Sequence, residues 1–368
     1  MMIFSTIVFI IKMKFIYVPV FILTTVLVLG DNHLQKIMTT QVTNPRKGVA
    51  IIMTGAAARI PQEAALLEEL YNRGLLKDVV FISGVSSGAL NAVVLNGILS
   101  RKLSWNGYKK ILFNLKNSDV FIQQGKKIPV NTTPARELYT KVAVDLLGYR
   151  SIGDLPYTTS VSFTRLFDLD LKKNVYRMCS RKINEESDTT LSLVDIMMAS
   201  SAFPFVFPAI RMTNPKTIPD AKYVDGGVGE DHVPYKALLQ FEQFRKKGVA
   251  KVYIISRKSD SIPQVSEELR LLGINDRGLF DKAGISLDAI LKKGIIKRLE
   301  AYMEEAPELT DRTYIWIPDF EENFPLFGFD KMKDQYEITS KWAKSHNPVP
   351  LKEFMARSIQ NDRKSILR

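Results

Sequence analysis

Two short stretches of this chain carry residue types suited to covalent chemistry. In Gly84-Val85-Ser86-Ser87-Gly88 a serine stands between two glycines, and in Lys222-Tyr223-Val224-Asp225-Gly226-Gly227-Val228 an aspartate is followed by two more. Glycines on both sides of a serine allow a sharp turn and close backbone approach, which leaves the hydroxyl projecting at the tip as a nucleophile. A carboxylate at the second tight turn is a candidate general base for that hydroxyl. The same Asp-Gly-Gly sequence also suits a purely structural turn, in which the carboxylate binds the backbone two residues on.

Such a pair acts only if the elements around it deliver it. Val79 to Ile82 is a short β-branched and aromatic run entering the serine turn, and Ala89 to Leu99 is an apolar, small-residue segment that predicts a buried helix. Upstream, Gly48 to Met53 predicts a buried strand and Pro61 to Arg73 a helix, with proline in its first turn and Gly74 just past its end. Strand, helix, strand and helix in succession predict an α/β fold with a mainly parallel sheet and helices on both faces. Ligands of such sheets sit at the C-terminal strand ends, where both Gly55 and Ser86 fall. The loop Thr54-Gly55-Ala56-Ala57-Ala58-Arg59 opens a helix there. Its unpaired N–H groups suit either an oxyanion that develops when a serine attacks a carbonyl or a plain turn. Further strands are expected at Tyr157 to Leu166, Asn174 to Cys179, Ala250 to Ser256 and Arg312 to Ile317. Helices are expected at Ser286 to Met303 and Glu337 to Lys344, followed by a loosely held basic tail over 346–368.

Composition narrows the classes. The 368 residues carry a formal net charge of +12, which favours an acidic partner such as an anionic lipid surface. Nucleotide loops, zinc-finger spacing and interleaved basic and aromatic stacking positions do not occur, so neither a nucleotide nor nucleic acid is expected as partner. The single cysteine, Cys179, rules out an internal disulfide framework and a multi-cysteine metal site. Residues 1–30 carry only Lys12 and Lys14 as charges, and Phe15 to Leu29 is an unbroken apolar run. This reads as a signal peptide or signal anchor. It predicts entry into the secretory pathway, with the product secreted, lumenal or membrane-anchored. Residues 31–47 read as a linker.

Taken in order, Gly55-Ala56-Ala57-Ala58-Arg59, Gly84-Val85-Ser86-Ser87-Gly88, Ala199-Ser200-Ser201-Ala202-Phe203-Pro204-Phe205-Val206-Phe207-Pro208 and Asp225-Gly226-Gly227 resemble the patatin-like phospholipases. The resemblance runs from about Gly48 to Lys344, within a domain taken as 48–345. It implies a three-layer αβα sandwich and a serine and aspartate dyad that hydrolyses acyl esters of phospholipids or related lipids with neither cofactor nor metal. On that resemblance Ser86 is the nucleophile, Asp225 the base, and Gly55, Ala56 and Ala57 the oxyanion segment. Arg59, Gly84, Gly88, Gly226 and Gly227 support them. The family loop usually reads Gly-Gly-Gly-x-Arg-Gly, and alanines here keep their N–H groups but resist positive φ. Two alternatives stay open: a weakened or silent lipid-binding member, and an α/β-hydrolase esterase with a Ser86, Asp225, His346 triad. The second has the right chain order but lacks the several strands that fold places before its serine. His232, close to Asp225, reads either as a group that tunes that carboxylate or, more plainly, as a surface-loop histidine.

Overall fold

The computed structural model describes residues 46–55, 57–125, 128–166, 175–212, 221–258, 262–271, 274 and 292–366. Arg46–Arg245 with Val249–Arg368 makes one compact unit. The signal or anchor expected at 1–30, and the expected linker as far as Pro45, lie outside the described residues. Among the described residues no helix is long and apolar enough to cross a membrane.

That unit is built on one sheet. Its strands in chain order are β1 (Val49–Met53), β2 (Val79–Val85), β3 (Thr158–Leu166), β4 (Val175–Cys179), β5 (Ile210–Arg211), β6 (Lys222–Asp225), β7 (Lys251–Ile255), β8 (Thr313–Trp316) and β9 (Val349–Pro350). In space they run β5-β6-β3-β2-β1-β7-β8-β9, with β4 also paired to β3. The central pairs β3/β2, β2/β1, β1/β7 and β7/β8 are parallel. Antiparallel pairings by β4, β5, β6 and β9 complete its margins.

The helices are α1 (Ile60–Asn72), α2 (Ser87–Leu99), α3 (Trp105–Phe113), α4 (Thr133–Tyr139), α5 (Leu193–Ser200), α6 (Lys236–Arg245), α7 (Ile262–Leu271), α8 (Lys292–Glu305), α9 (Pro307–Thr310), α10 (Met332–Ser345) and α11 (Leu351–Ile366). Side chains alternate along β1, so Val49, Ile51 and Met53 enter a core with α1, α2 and α5. Ala50 and Ile52 enter a second core with α6, α8 and α11. A sheet apolar on both faces needs cover on both, which makes three layers. α2 is buried on nearly every side, and its run of alanine, glycine and valine is what lets it pass so close to the sheet.

Residues 346–366, read as most of a loosely held tail over 346–368, are a correction to the sequence reading. Val349 pairs with Ile315 of β8, and Leu351 and Met355 of α11 are buried one turn apart in the second core. A single apolar stripe in a charged segment suffices to dock a helix, so the stretch read as a tail. The described part of the helix expected at Ser286 to Met303 is α8.

The pairing along β3 brings distant parts of the chain together. β2 lies beside Thr158–Ser162 and β6 beside Phe163–Leu166, while β4 spans Ser160–Thr164. Because β4 occupies one edge, β2 and β6 share the other and meet end to end. Val85 faces Ser162 and Asp225 faces Phe163, so the C-terminal ends of both strands converge one residue apart on β3.

Candidate active site

Ser86 is the residue between β2 and α2 and holds φ 55° and ψ −130°. This sparsely populated conformation costs a serine about 1–3 kcal/mol and persists because its surroundings leave no alternative. A Cβ at Gly84 would lie 2.4 Å from the Gly88 carbonyl oxygen, and one at Gly88 would lie 2.7 Å from the Met53 carbonyl oxygen. β1, β2 and α2 therefore touch backbone to backbone at the two glycines. The Ser86 N–H donates to Ser200 Oγ at 2.9 Å, and the Ser200 hydroxyl donates to the Ser162 carbonyl at 2.7 Å. The first N–H groups of α2, with the positive end of its dipole, follow at once.

Asp225 closes β6 and is 5% exposed. Its N–H donates to the Ala202 carbonyl at 3.1 Å, and its Oδ1 accepts the Gly227 N–H at 2.8 Å. A Cβ on Gly226 would come within 2.7 Å of the Ser162 carbonyl, so the turn after the aspartate presses directly on β3. Burial raises the Asp225 carboxyl to about 6, against the lowering effect of the Ser86 hydroxyl and the Gly227 N–H. The Ala199 to Ala202 block thus serves both partners, Ser200 holding the serine turn and Ala202 the aspartate.

Gly55 has φ 71°, and a Cβ there would lie 2.2 Å from the Val85 carbonyl oxygen. Its N–H donates to Glu63 Oε1 at 2.7 Å, so this expected oxyanion donor is already committed. Ala56 lies outside the described residues. Ala57 has φ 46° and lines the same cavity as Ser86. Arg59 is 2% exposed, donates to the Phe324 carbonyl and pairs with Glu268 at 3.7 Å. It ties down the segment leading to Leu326, whose carbonyl accepts the Ala58 N–H at 2.8 Å.

Ser86, Asp225, Gly55, Ala57 and Gly227 line one cavity of about 60 Å³, walled by Phe203, Phe207, Phe327 and Phe329. Tyr139 and His232 line it too; residue order had not brought Tyr139 to the site, and had offered His232 only as a neighbour of Asp225 that could tune it. Burial pushes the Tyr139 hydroxyl up to about 12, its hydrogen bond with Ser201 opposing and the Asp225 charge reinforcing this. His232 is buried, not on a surface loop. Its Nε2 lies 2.9 Å from the Gly294 carbonyl, and burial lowers its pKa, so the ring is neutral with its proton on Nε2. His346 is elsewhere: it follows α10, stacks on Trp342 at 4.3 Å and is absent from the cavity wall.

The patatin-like phospholipase family profile matches residues 51–239, just over half of the chain, from β1 through Ser86 and Asp225 into α6. The chain belongs to the patatin-like phospholipase family. Its mainly parallel sheet between two helical layers is the patatin-like α/β fold. No curated protein matches it. Among solved structures it is similar to VipD from Legionella pneumophila, with 13% identity and a TM-score of 0.30, covering 82% of this chain and 67% of that one. It is also similar to the type III effector ExoU, with 12% identity and a TM-score of 0.29, covering 72% of this chain and 61% of that one. ExoU of Pseudomonas aeruginosa in complex with SpcU gives 15% identity and a TM-score of 0.28, covering 73% of this chain and 60% of that one. The chain thus spans about three fifths of these two ExoU chains.

In this patatin-like chain Ser200, Tyr139 and Glu63 were not identified as site residues from sequence. Ser200 sits inside a quoted motif, where a serine among alanines reads as packing, and Tyr139 and Glu63 lie on helices with no local pattern marking their partners.

Proposed function

We propose that this protein is a lipid acyl hydrolase that cleaves carboxylic esters of phospholipids or related lipids through Ser86 and Asp225. The observation that carries the reading is that Ser86 and the buried carboxylate of Asp225 line one cavity with an aromatic wall. With its pKa near 6, Asp225 is ionised at neutral pH and a stronger base than a carboxylate in water. It takes the Ser86 proton as Ser86 attacks the ester carbonyl. The carbonyl oxygen becomes an anion, held by the Ala57 N–H and the first N–H groups of α2. Collapse expels the alcohol, protonated by Asp225, and leaves an acyl group on Ser86. Water, deprotonated by Asp225, then releases the fatty acid. The net charge of +12 suits an anionic membrane surface as the place where this happens.

Mass spectrometry of products from mixed phospholipid vesicles tests the reading. Ser86→Ala and Asp225→Asn are each expected to lower the rate at least ~10³-fold. His346→Ala is expected to leave it within about twofold of the parent, because that ring is outside the cavity. An Asp225→Asn protein as fast as the parent would overturn the dyad. One observation favours a second reading, a lipid-binding member that no longer reacts: the Gly55 donor is engaged elsewhere. A fluorophosphonate probe that labels the parent but not Ser86→Ala excludes it.

A further inference from the structure

Behind the Gly55 loop lies a buried polar cluster that the reaction above does not use. Glu63, in the first turn of α1, is 0% exposed. Three donors converge on its carboxylate: the Gly55 N–H at 2.7 Å, the Thr54 hydroxyl at 3.2 Å and Asn91 Nδ2 of α2 at 3.3 Å. The Tyr108 hydroxyl of α3 donates to Asn91 Oδ1 at 2.6 Å, which turns the amide nitrogen toward Glu63. Thr54 Oγ1 also lies 2.6 Å from Ser256 Oγ beyond the end of β7. The cluster therefore spans the loop, both helices beside it and the neighbouring strand.

We propose that Glu63 is a positioning residue for the oxyanion loop: by capturing the Gly55 N–H and the Thr54 hydroxyl, it holds the loop in the left-handed course that aims the Ala57 N–H at Ser86. The inference rests on the hydrolase reading of the site. Its motive is conformational. Gly55 and Ala57 stand at φ 71° and 46°, and an alanine-rich loop relaxes toward negative φ unless something holds it. A carboxylate accepting donors from two successive loop residues is such a restraint, and only its ionised form accepts on every side.

The restraint is sensitive to protons. Burial raises the Glu63 carboxyl to about 7, opposed by the Gly55 N–H, Asn91, the charge of Arg257 and Thr54. The charged or titratable groups facing it are Arg257, which favours the carboxylate, and Tyr108, which burial keeps protonated. Thr54, Ser256 and Asn91 are neutral.

The test uses the full-length protein and p-nitrophenyl butyrate between pH 5 and 9, with fluorophosphonate labelling in parallel. For Glu63→Gln, kcat is expected to fall about tenfold with KM within twofold, as for a weakened oxyanion donor. Its acid limb is expected to move from about 7 to the value near 6 that Asp225 alone imposes. Labelling of Ser86 is expected to slow about tenfold and still reach the parent's stoichiometry. Tyr108→Phe frees Asn91 to turn away and is expected to move the acid limb the other way, to higher pH, a second readout if Glu63→Gln does not fold. A Glu63→Gln protein with the parent's kcat and pH profile, or with label stoichiometry falling as far as kcat, would overturn the role of Glu63 alone. An active Ser86→Ala would overturn the hydrolase reading beneath it.

Discussion

At the scale of the residue, Asp225 shows what placing a carboxylate in this cavity costs. Its pKa is higher in the folded chain than in the unfolded one, so the folded state binds the extra proton between about pH 4 and 6. The stability it contributes is present at low pH and is lost as pH rises through 6. Asp225→Asn is therefore expected to raise unfolding free energy by about 1–3 kcal/mol at pH 8, with the gain vanishing near pH 4, while activity collapses. Urea titrations at the two pH values check the sign. Ser200 acts through Ser86: in Ser200→Ala the Ser86 N–H loses its acceptor, with an expected loss of about 1–3 kcal/mol in stability and about tenfold in kcat. Ser86 and Asp225 were legible in the sequence as candidates, because glycine neighbours advertise a special backbone, and they line one cavity. Ser200 and Glu63 were not, since a buried hydrogen bond between residues far apart leaves no local mark.

At the scale of the element, the serine turn is a contact between main chains. Gly84→Ala and Gly88→Ala each force a methyl group into a carbonyl closer than 3 Å, and the expected cost is about 3 kcal/mol or more. Loss of soluble folded protein, or a urea midpoint lowered accordingly, is the measurement. β1, α1, β2 and α2 fall within a few residues of the sequence expectation, because long apolar runs between glycine and proline are unambiguous. The two-residue strands β5 and β9 escaped, being too short for any period to show. α11 escaped because its charge hid a narrow apolar stripe, and truncating it at Leu351→Ala is expected to cost about 2–4 kcal/mol. His232 was misplaced for a related reason: a histidine in a polar loop says nothing about which helix will later cover it.

At the scale of the whole molecule, the order of the sheet could not be read from the strands one by one. The ends of two parallel strands, β1 and β2, present Gly55 and Ser86 as expected, but Asp225 arrives because β2 and β6 meet head-on along β3, a pairing set by contacts distant in sequence. The cavity at that meeting point holds about 60 Å³, against roughly 300–1,000 Å³ for an ordinary ligand pocket. Phe203 and Phe207 reach it from beyond α5, Phe327 and Phe329 from the C-terminal third, so widening it means parting rings that belong to separate stretches of chain. If the proposed hydrolysis takes place here, a greasy aggregate that wedges the rings aside is expected to raise the rate. With a short-chain phosphatidylcholine as substrate, velocity plotted against concentration is expected to stay near the baseline for dissolved monomers and to bend sharply upward where micelles begin.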